Sequence, residues 1–407
     1  MSLRRSRAFA VALVTFATFT DIVAYSAAIP VLPDLSRRLG ASPTMIGLVF
    51  ASFGVTLLTV SLPMGAVSDR IGRRTPMVGG LAALAASTLL FAYATSLPTL
   101  FAARLVQGAA DAITWVVGFA LIADRYGVDE RGRVTGIVMS GTSVAVMIGP
   151  SIGGWLYELG GIRLPFLLIT LLAIVGAIAF LAIDLPAPSA DRTRVPMALV
   201  LRQPPVAACA VAVVLASSTL SMLEPVMALH LGSLGIGPAR IGLLFGIAAL
   251  VNAGTHPLAG RLADRWGARR MMLLGLTLSA FALACLGQTW SFRSTIGFQI
   301  PFMISIALMI TPSLAYMADV TTLGGVDSFG VAYGLYNMAW GFGLLAGPAI
   351  GGFGYERVGF GPLAIAWGLA VVVMTWFVAR TGPTHGSAPT ADAASPDMHG
   401  SAPAADV

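Results

Sequence analysis

The chain is predicted to be an all-α membrane protein of twelve transmembrane helices, arranged as two pseudo-symmetric six-helix halves. Three observations predict this. Of its 407 residues, 57% are hydrophobic and 10% charged, with a mean hydropathy of +0.85, whereas soluble domains carry about a quarter charged residues. The apolar residues form unbroken runs that supply the ~20 residues a spanning helix needs, without the period-two alternation of barrel strands. One arginine-rich segment also occurs twice: Gly65-Ala-Val-Ser-Asp69-Arg70-Ile-Gly72-Arg73-Arg74 returns as Gly260-Arg-Leu-Ala-Asp264-Arg265-Trp-Gly267-Ala-Arg269-Arg270. Shifting the stretch 43–85 by 195 residues gives the same residue at 14 of 43 positions, where unrelated apolar sequences agree at roughly one in ten.

Taken in order, the apolar runs lie near 8–32, 45–67, 76–95, 98–123, 134–156, 163–183, 205–229, 239–262, 271–289, 294–318, 329–353 and 360–379. The first follows three arginines and imitates a signal peptide. It continues past Asp21 to Leu32 without a small-residue cleavage site, so it is expected to stay as the first span. Between the runs, the repeated segment is expected to form a tight loop after the second and eighth spans. The two halves are expected at 1–184 and 205–380, joined by a cytoplasmic linker at 185–204 rich in Pro, Ala and Arg. The tail, 381–407, is rich in Ala, Pro, Ser, Thr and Asp and is expected to be disordered. Cys209 and Cys285 both lie inside apolar runs, which implies no disulfide framework.

The basic pI of about 9.8 comes from arginine alone, since the chain has no lysine. With the N-terminus inside, seventeen arginines fall on cytoplasmic segments and six on outer ones, with Arg104 left within a span. That asymmetry is the positive-inside pattern of a multi-pass cell-membrane protein with both termini cytoplasmic. It is a topology signal, not a nucleic-acid one.

The repeated segment resembles the signature between the second and third spans of the major facilitator superfamily, and the six-plus-six layout is similar over 8–379. A second motif supports the resemblance. Gly141, Ala145, Gly149 and Gly153 recur every fourth residue with Pro150 among them, and Ala339, Gly343, Gly347 and Gly351 repeat the pattern with Pro348. Small residues at that spacing let helix backbones approach, so these stripes are packing seams. The resemblance further implies the antiporter branch of that superfamily. It also implies a gating latch at the repeated segment, where Asp69, Arg70 and Arg73 at the end of span two meet Asp124 at the end of span four. Asp264, Arg265 and Asp319 are their counterparts in the second half. Carboxylates there are suited to neighbouring arginines or to a helix N-terminus; ordinary surface pairs would be worth at most about 1 kcal/mol each. The second copy has Ala268 where the first has Arg73.

Charge inside a span costs roughly 2.5–3.5 kcal/mol, so each such residue needs a reason. Asp21, Arg104, Asp111 and Glu224 stand out. Arg104, Gln107, Asp111 and Trp115 share one helical stripe, and Tyr25 lies one turn beyond Asp21. Three acids against one arginine leave the interior negative, which favours a cationic substrate. A carboxyl group removed from water also takes up protons more readily.

A closer resemblance appears at Asp21, Pro30 and Pro33, at Arg104-Leu-Val-Gln107-Gly108, at Met222-Leu-Glu224-Pro225 and at Gly149-Pro150 with Tyr157-Glu158. These look like the vesicular amine transporters and their multidrug–proton antiporter relatives. The resemblance implies that Asp21 and Glu224 serve amine recognition and proton coupling, that Arg104 belongs to their polar network, and that Asp319 gates. Three positions depart from it: the family's span-two lysine falls at Phe53, its span-ten acid near Ala307 and its span-eleven acid at Asn337. Asp111 is additional. Tyr316, Tyr333, Tyr336, Trp340, Met303, Met309 and Met338 are candidates for a soft wall around a cation, and Asn252 with His256 for a proton relay.

The function expected is proton-coupled antiport that exports organic cations or amphipathic drugs by alternating access. Its partners are the small-molecule substrate, protons and the lipid bilayer; it is expected to be a monomer without cofactor, metal or nucleic acid. Two alternatives stand beside it: an exporter of neutral or anionic solutes such as sugars, with Arg104 as anion contact, and a non-transporting receptor or lipid-handling protein on the same fold. No GxxxxGK[ST], HExxH or CxxC motif is present, which argues against an ATP-driven pump, a metalloprotease or a redox enzyme.

Overall fold

The computed structural model describes residues 7–183, 204–323 and 329–381. The expected linker and tail fall almost wholly outside them. The described helices are α1 Arg7–Ser26, α2 Leu32–Leu39, α3 Pro43–Ile71, α4 Arg74–Ala92, α5 Leu97–Arg125, α6 Val128–Gly160, α7 Arg163–Ala182, α8 Pro204–Ser233, α9 Pro238–Trp266, α10 Ala268–Leu286, α11 Phe292–Leu323, α12 Phe329–Val358 and α13 Phe360–Thr381. Counting α1 and α2 as one span, eleven are long and apolar enough to cross a membrane. The remaining 30-residue α12 completes the expected set of twelve.

Span one breaks where Pro30, which has no N–H, follows Ala27 and Ala28; a short 3₁₀ turn at Ile29–Val31 redirects the chain into α2. The repeat seen in the sequence is also a repeat of backbone. α3 and α9 are both 29 residues long, and both of their ends lie 195 residues apart. Glycines with positive φ punctuate the two halves in register, Gly40 with Gly235 and Gly72 with Gly267, while Gly161 and Gly359 correspond with a shift of three residues. One expectation is corrected here. The repeated segment is not a loop: Gly65 to Ile71 form the last turns of α3, and Gly260 to Trp266 those of α9. The chain turns only at Gly72 and Gly267, whose φ values of 86° and 91° lie in the left-handed region that a side chain disfavours. A segment dense in glycine and charge reads as a loop, but its arginines reach out from a helix end.

The small-residue stripes hold each half together. On α6, a Cβ added to Gly141 or Gly149 would strike Thr15 or Ser26 of α1, and one added to Gly153 would strike Ala27 just beyond it. On α12, one added to Gly343, Gly347 or Gly351 would strike Ser217, Ser221 or Met222 of α8. The opposite faces of α6 and α12 meet the other half. The carbonyls of Pro150 and Pro348 lie against Gly242 of α9 and Gly47 of α3, where no side chain would fit.

Two carboxylates fasten this junction in matching ways. Glu158, at the end of α6, accepts a hydrogen bond from Ala239 N–H at the start of α9, and Glu356, at the end of α12, accepts one from Thr44 N–H at the start of α3, both at 2.9 Å. Each satisfies a helix N-terminal donor across the boundary between halves, an interaction worth about 0.3–1 kcal/mol where exposed. At the arginine-rich end the same faces part. Gly260 lies eighteen residues, or five turns, beyond Gly242 on the same face of α9. Among the described residues, only Thr311 of its own half comes within 4 Å of a Cβ placed there, and Gly132 and Gly136 of α6 have no neighbour at that distance. Among the described residues, the halves touch at the Glu158 and Glu356 end and part at the other.

Candidate functional site

Two polar clusters occupy the interior of the spans. The first bridges the halves. Tyr25 of α1 donates its hydroxyl to Glu224 of α8 at 2.6 Å. Beside it, Arg104 of α5 is fully buried, donates to Gln107 at 2.8 Å, and packs its guanidinium over the rings of Phe50 at 3.8 Å, Tyr25 at 5.1 Å and Phe91 at 5.2 Å. Phe53, where the resembling family has a lysine, puts its ring 5.1 Å from that of Tyr25.

The second cluster lies wholly in the N-terminal half. Val14 of α1 crosses Gly118 of α5, where a Cβ would sit 3.0 Å from a Val14 methyl. Two turns on in opposite directions, that register sets Asp21 against Asp111. The two carboxyls interact, with Trp115 against both and Thr114 against Asp21. Asp21 is 1% and Asp111 9% exposed. Neither oxygen of Asp21 makes a well-formed hydrogen bond. The Thr114 hydroxyl is committed to the backbone oxygens of Ala110 and Asp111.

The remaining candidates are placed as follows. Trp340 of α12 stacks on Tyr336 at 6.1 Å, and the Tyr336 hydroxyl accepts from Ser313 at 3.3 Å; Asn337 is exposed on the same helix. Met303, Met309 and Tyr316 are core residues, and the side chain of Tyr333 is outside the described ones. Asn252 donates to Met303 O at 3.1 Å. His256 Nδ1 lies 2.7 Å from the Thr311 hydroxyl, whose own proton goes to Ala307 O, so Nδ1 carries the hydrogen. Both tie α9 to α11. An apolar cleft between α1, α6 and α7, lined by Phe19, Val23, Ile152, Leu168 and Leu172, holds no polar group suited to a cation.

At the arginine-rich end, Arg73 gathers three partners: Asp124 at 2.8 Å, Asp69 at 2.7 Å and the Ser68 hydroxyl. Burial works against its charge, but the hydrogen bonds and attraction of Asp124 and then Asp69 hold its pKa above the ordinary arginine value. This clasp joins α3, α4 and α5 within one half. Arg70 is exposed. In the second half, where Ala268 replaces the arginine, Asp264 and Arg265 are exposed and Arg269 donates instead to Ala379 O at 2.7 Å. The Asp319 side chain is outside the described ones. Asp69→Asn is expected to leave substrate affinity within about threefold while slowing turnover, since it shifts the balance of states without touching the interior acids. Loss of binding by a folded Asp69→Asn protein would place Asp69 in the site itself.

Reading the sequence alone missed Thr114, Phe50 and Phe91. Thr114 stands one turn from Asp111 on the same stripe and was detectable. The two phenylalanines look like any apolar residue of a span.

The chain matches the family model described as Major Facilitator Superfamily at residues 14–232 and 206–403. It is 27% identical over 334 residues to the human (Homo sapiens) chromaffin granule amine transporter, covering 81% of this chain and 64% of that one. It is 31% identical over 343 residues to the human vesicular acetylcholine transporter, covering 80% and 63%. The match therefore spans just under two thirds of either relative's length. In fold it is similar to a bacterial homolog of the human lysosomal transporter Spinster in an inward-facing and occupied conformation, with a TM-score of 0.79 at 14% identity over 94% of this chain and 98% of the other.

Proposed function

The chain belongs to the Major Facilitator Superfamily, and from that premise we propose that it is a secondary transporter that exports organic cations in exchange for protons. The relatives it matches are named as transporters, one of amines and one of acetylcholine, and not as enzymes. The observation that carries the reading is the Tyr25–Glu224 hydrogen bond between the halves, set beside buried carboxyls that no described cation neutralises. Arg104 offsets Glu224. Asp21 and Asp111 remain, and an ammonium ion or a proton is what such a pair accepts. A bond joining the halves at the site also lets occupancy of the site bias their relative position.

The positive-inside arginine pattern makes the open end cytoplasmic. The described state is then the one that loads substrate from inside, closed outward by Glu158 and Glu356. An anion exporter would need Arg104 as its contact. That side chain is fully buried, boxed by three rings and next to Glu224, which disfavours the anion reading.

Inverted membrane vesicles with an imposed pH gradient, inside acid, test the proposal with a panel of cationic, neutral and anionic compounds. Uptake of cations alone, abolished by a protonophore, is expected. Uptake confined to neutral or anionic compounds would overturn the substrate class. Gradient-driven accumulation only in right-side-out vesicles would overturn the sidedness.

A further inference from the structure

We propose that Asp21 and Asp111 form one two-carboxyl site that selects ammonium ions carrying at least two N–H donors, so that primary and secondary amines are preferred to quaternary ammonium ions. The inference rests on the organic-cation reading above and adds Asp111 as a residue that sets specificity.

The argument is one of donors and acceptors. Two carboxyl groups offer four oxygens. Neither oxygen of Asp21 receives a hydrogen bond from a described residue, and Thr114, beside them, gives its proton to the backbone. Both acids are nearly sealed from water, and the oxygens of Asp21 lack a well-formed hydrogen bond. A buried acceptor without a donor is costly, more so when charged. A quaternary ammonium would supply charge to this site but no hydrogen, leaving the acceptors unsatisfied. A primary or secondary ammonium bridges the pair, one N–H to each carboxyl, and the energetic gap between the two ligand types is the specificity.

A second carboxyl is what turns charge attraction into donor counting. One aspartate alone satisfies itself with a single N–H or accepts a quaternary ion at modest loss, whereas two facing each other repel unless a hydrogen lies between them. Before the amine arrives, one proton shared by the pair does the same job. The titratable groups around it are few. Beyond Asp21, Asp111 and the neighbouring Tyr25, Arg104 and Glu224, the helices packed on α1 (α4, α6 and α7) carry titratable groups only near their ends.

The test uses the full chain in lipid nanodiscs with 2-phenylethylamine and its N,N,N-trimethyl counterpart as probes, read by titration calorimetry. Wild type is expected to bind the primary amine about tenfold or more tighter than the trimethyl ion, the factor that one unsatisfied charged acceptor supplies. Asp111→Asn is expected to bring the two affinities within about twofold of each other, and Asp111→Glu, which keeps both carboxyls, to restore the preference. Asp69→Asn, which does not touch the interior acids, is expected to keep the preference. The same ratio in wild type and in folded Asp111→Asn overturns the proposal, as does tighter binding of the trimethyl ion. If both ions bind equally and both are exported, the transport reading stands and this inference falls. If neither binds, both fall.

Discussion

Asp21→Asn and Glu224→Gln are each expected to lower uphill export of a cationic substrate by about a hundredfold or more, the factor that ~2.8 kcal/mol of lost coupling corresponds to. The two acids lie in opposite halves, Asp21 on α1 and Glu224 on α8. Glu224 is tied back to the first half through Tyr25. When a cation and a proton contend for the same carboxyls, each lowers the affinity for the other by the same factor, and that reciprocity drives exchange. Removing either acid removes one of the places where they contend. The sign with pH follows: binding of an amine that stays charged should weaken as pH falls, because protons fill the acids, and each mutant should lose part of that dependence. Calorimetric titration across pH on wild type and both variants measures it, alongside uphill uptake into proteoliposomes. Equal pH dependence in all three proteins would sink the competition mechanism even if transport were lost.

Much of this arrangement could be read from the chain itself, because the signals are local and repeated. The offset of 195 residues between the two arginine-rich segments reappears in both ends of α3 and α9. The small-residue stripes on α6 and α12 show which face packs within a half, since spacing by four keeps residues on one side of a helix. The second arginine-rich segment visibly lacks the counterpart of Arg73, and among the described residues Arg269 turns instead to Ala379 O. What escaped was whatever depends on register between helices. Asp111 read as part of an α5 stripe and Asp21 as an acid one turn from Tyr25; the crossing of Val14 over Gly118 sets them face to face. Tyr25 and Glu224 are 199 residues apart in the chain, and no periodicity within one span predicts their bond. Phe50 and Phe91 beside Arg104 were invisible for a different reason, because apolar residues in a span look alike whether they face lipid, a neighbour or a buried guanidinium.

Leucine placed at Gly242 or at Gly260 is expected to stop transport from opposite ends of the same helix face. At Gly242 the added side chain would be driven into the Pro150 carbonyl and to within about 3.1 Å of Ser151 Cα. Backbone on the far side cannot give way as a flexible side chain does, so the outer end is wedged apart. Overpacking of this kind costs about 1–3 kcal/mol of the state in which it occurs, enough to invert two states of similar energy. At Gly260, five turns on, a Cβ meets, among the described residues, only a Thr311 methyl at 3.9 Å, so the described state tolerates the leucine. Closing the arginine-rich end would bring α6, with its open Gly132 and Gly136, onto that face, and the leucine would then block it. A chain with Cys209 and Cys285 replaced and a single Asn337→Cys reporter distinguishes the two blocks by a membrane-impermeant thiol reagent. With Gly260→Leu, labelling is expected from the arginine-rich side alone and at least as fast as in the parent. With Gly242→Leu, that labelling is expected to fall and labelling from the opposite side to appear. Full transport by Gly260→Leu, or outer-side labelling in it, would mean that the face running from Gly242 to Gly260 is not the surface on which the two halves rock.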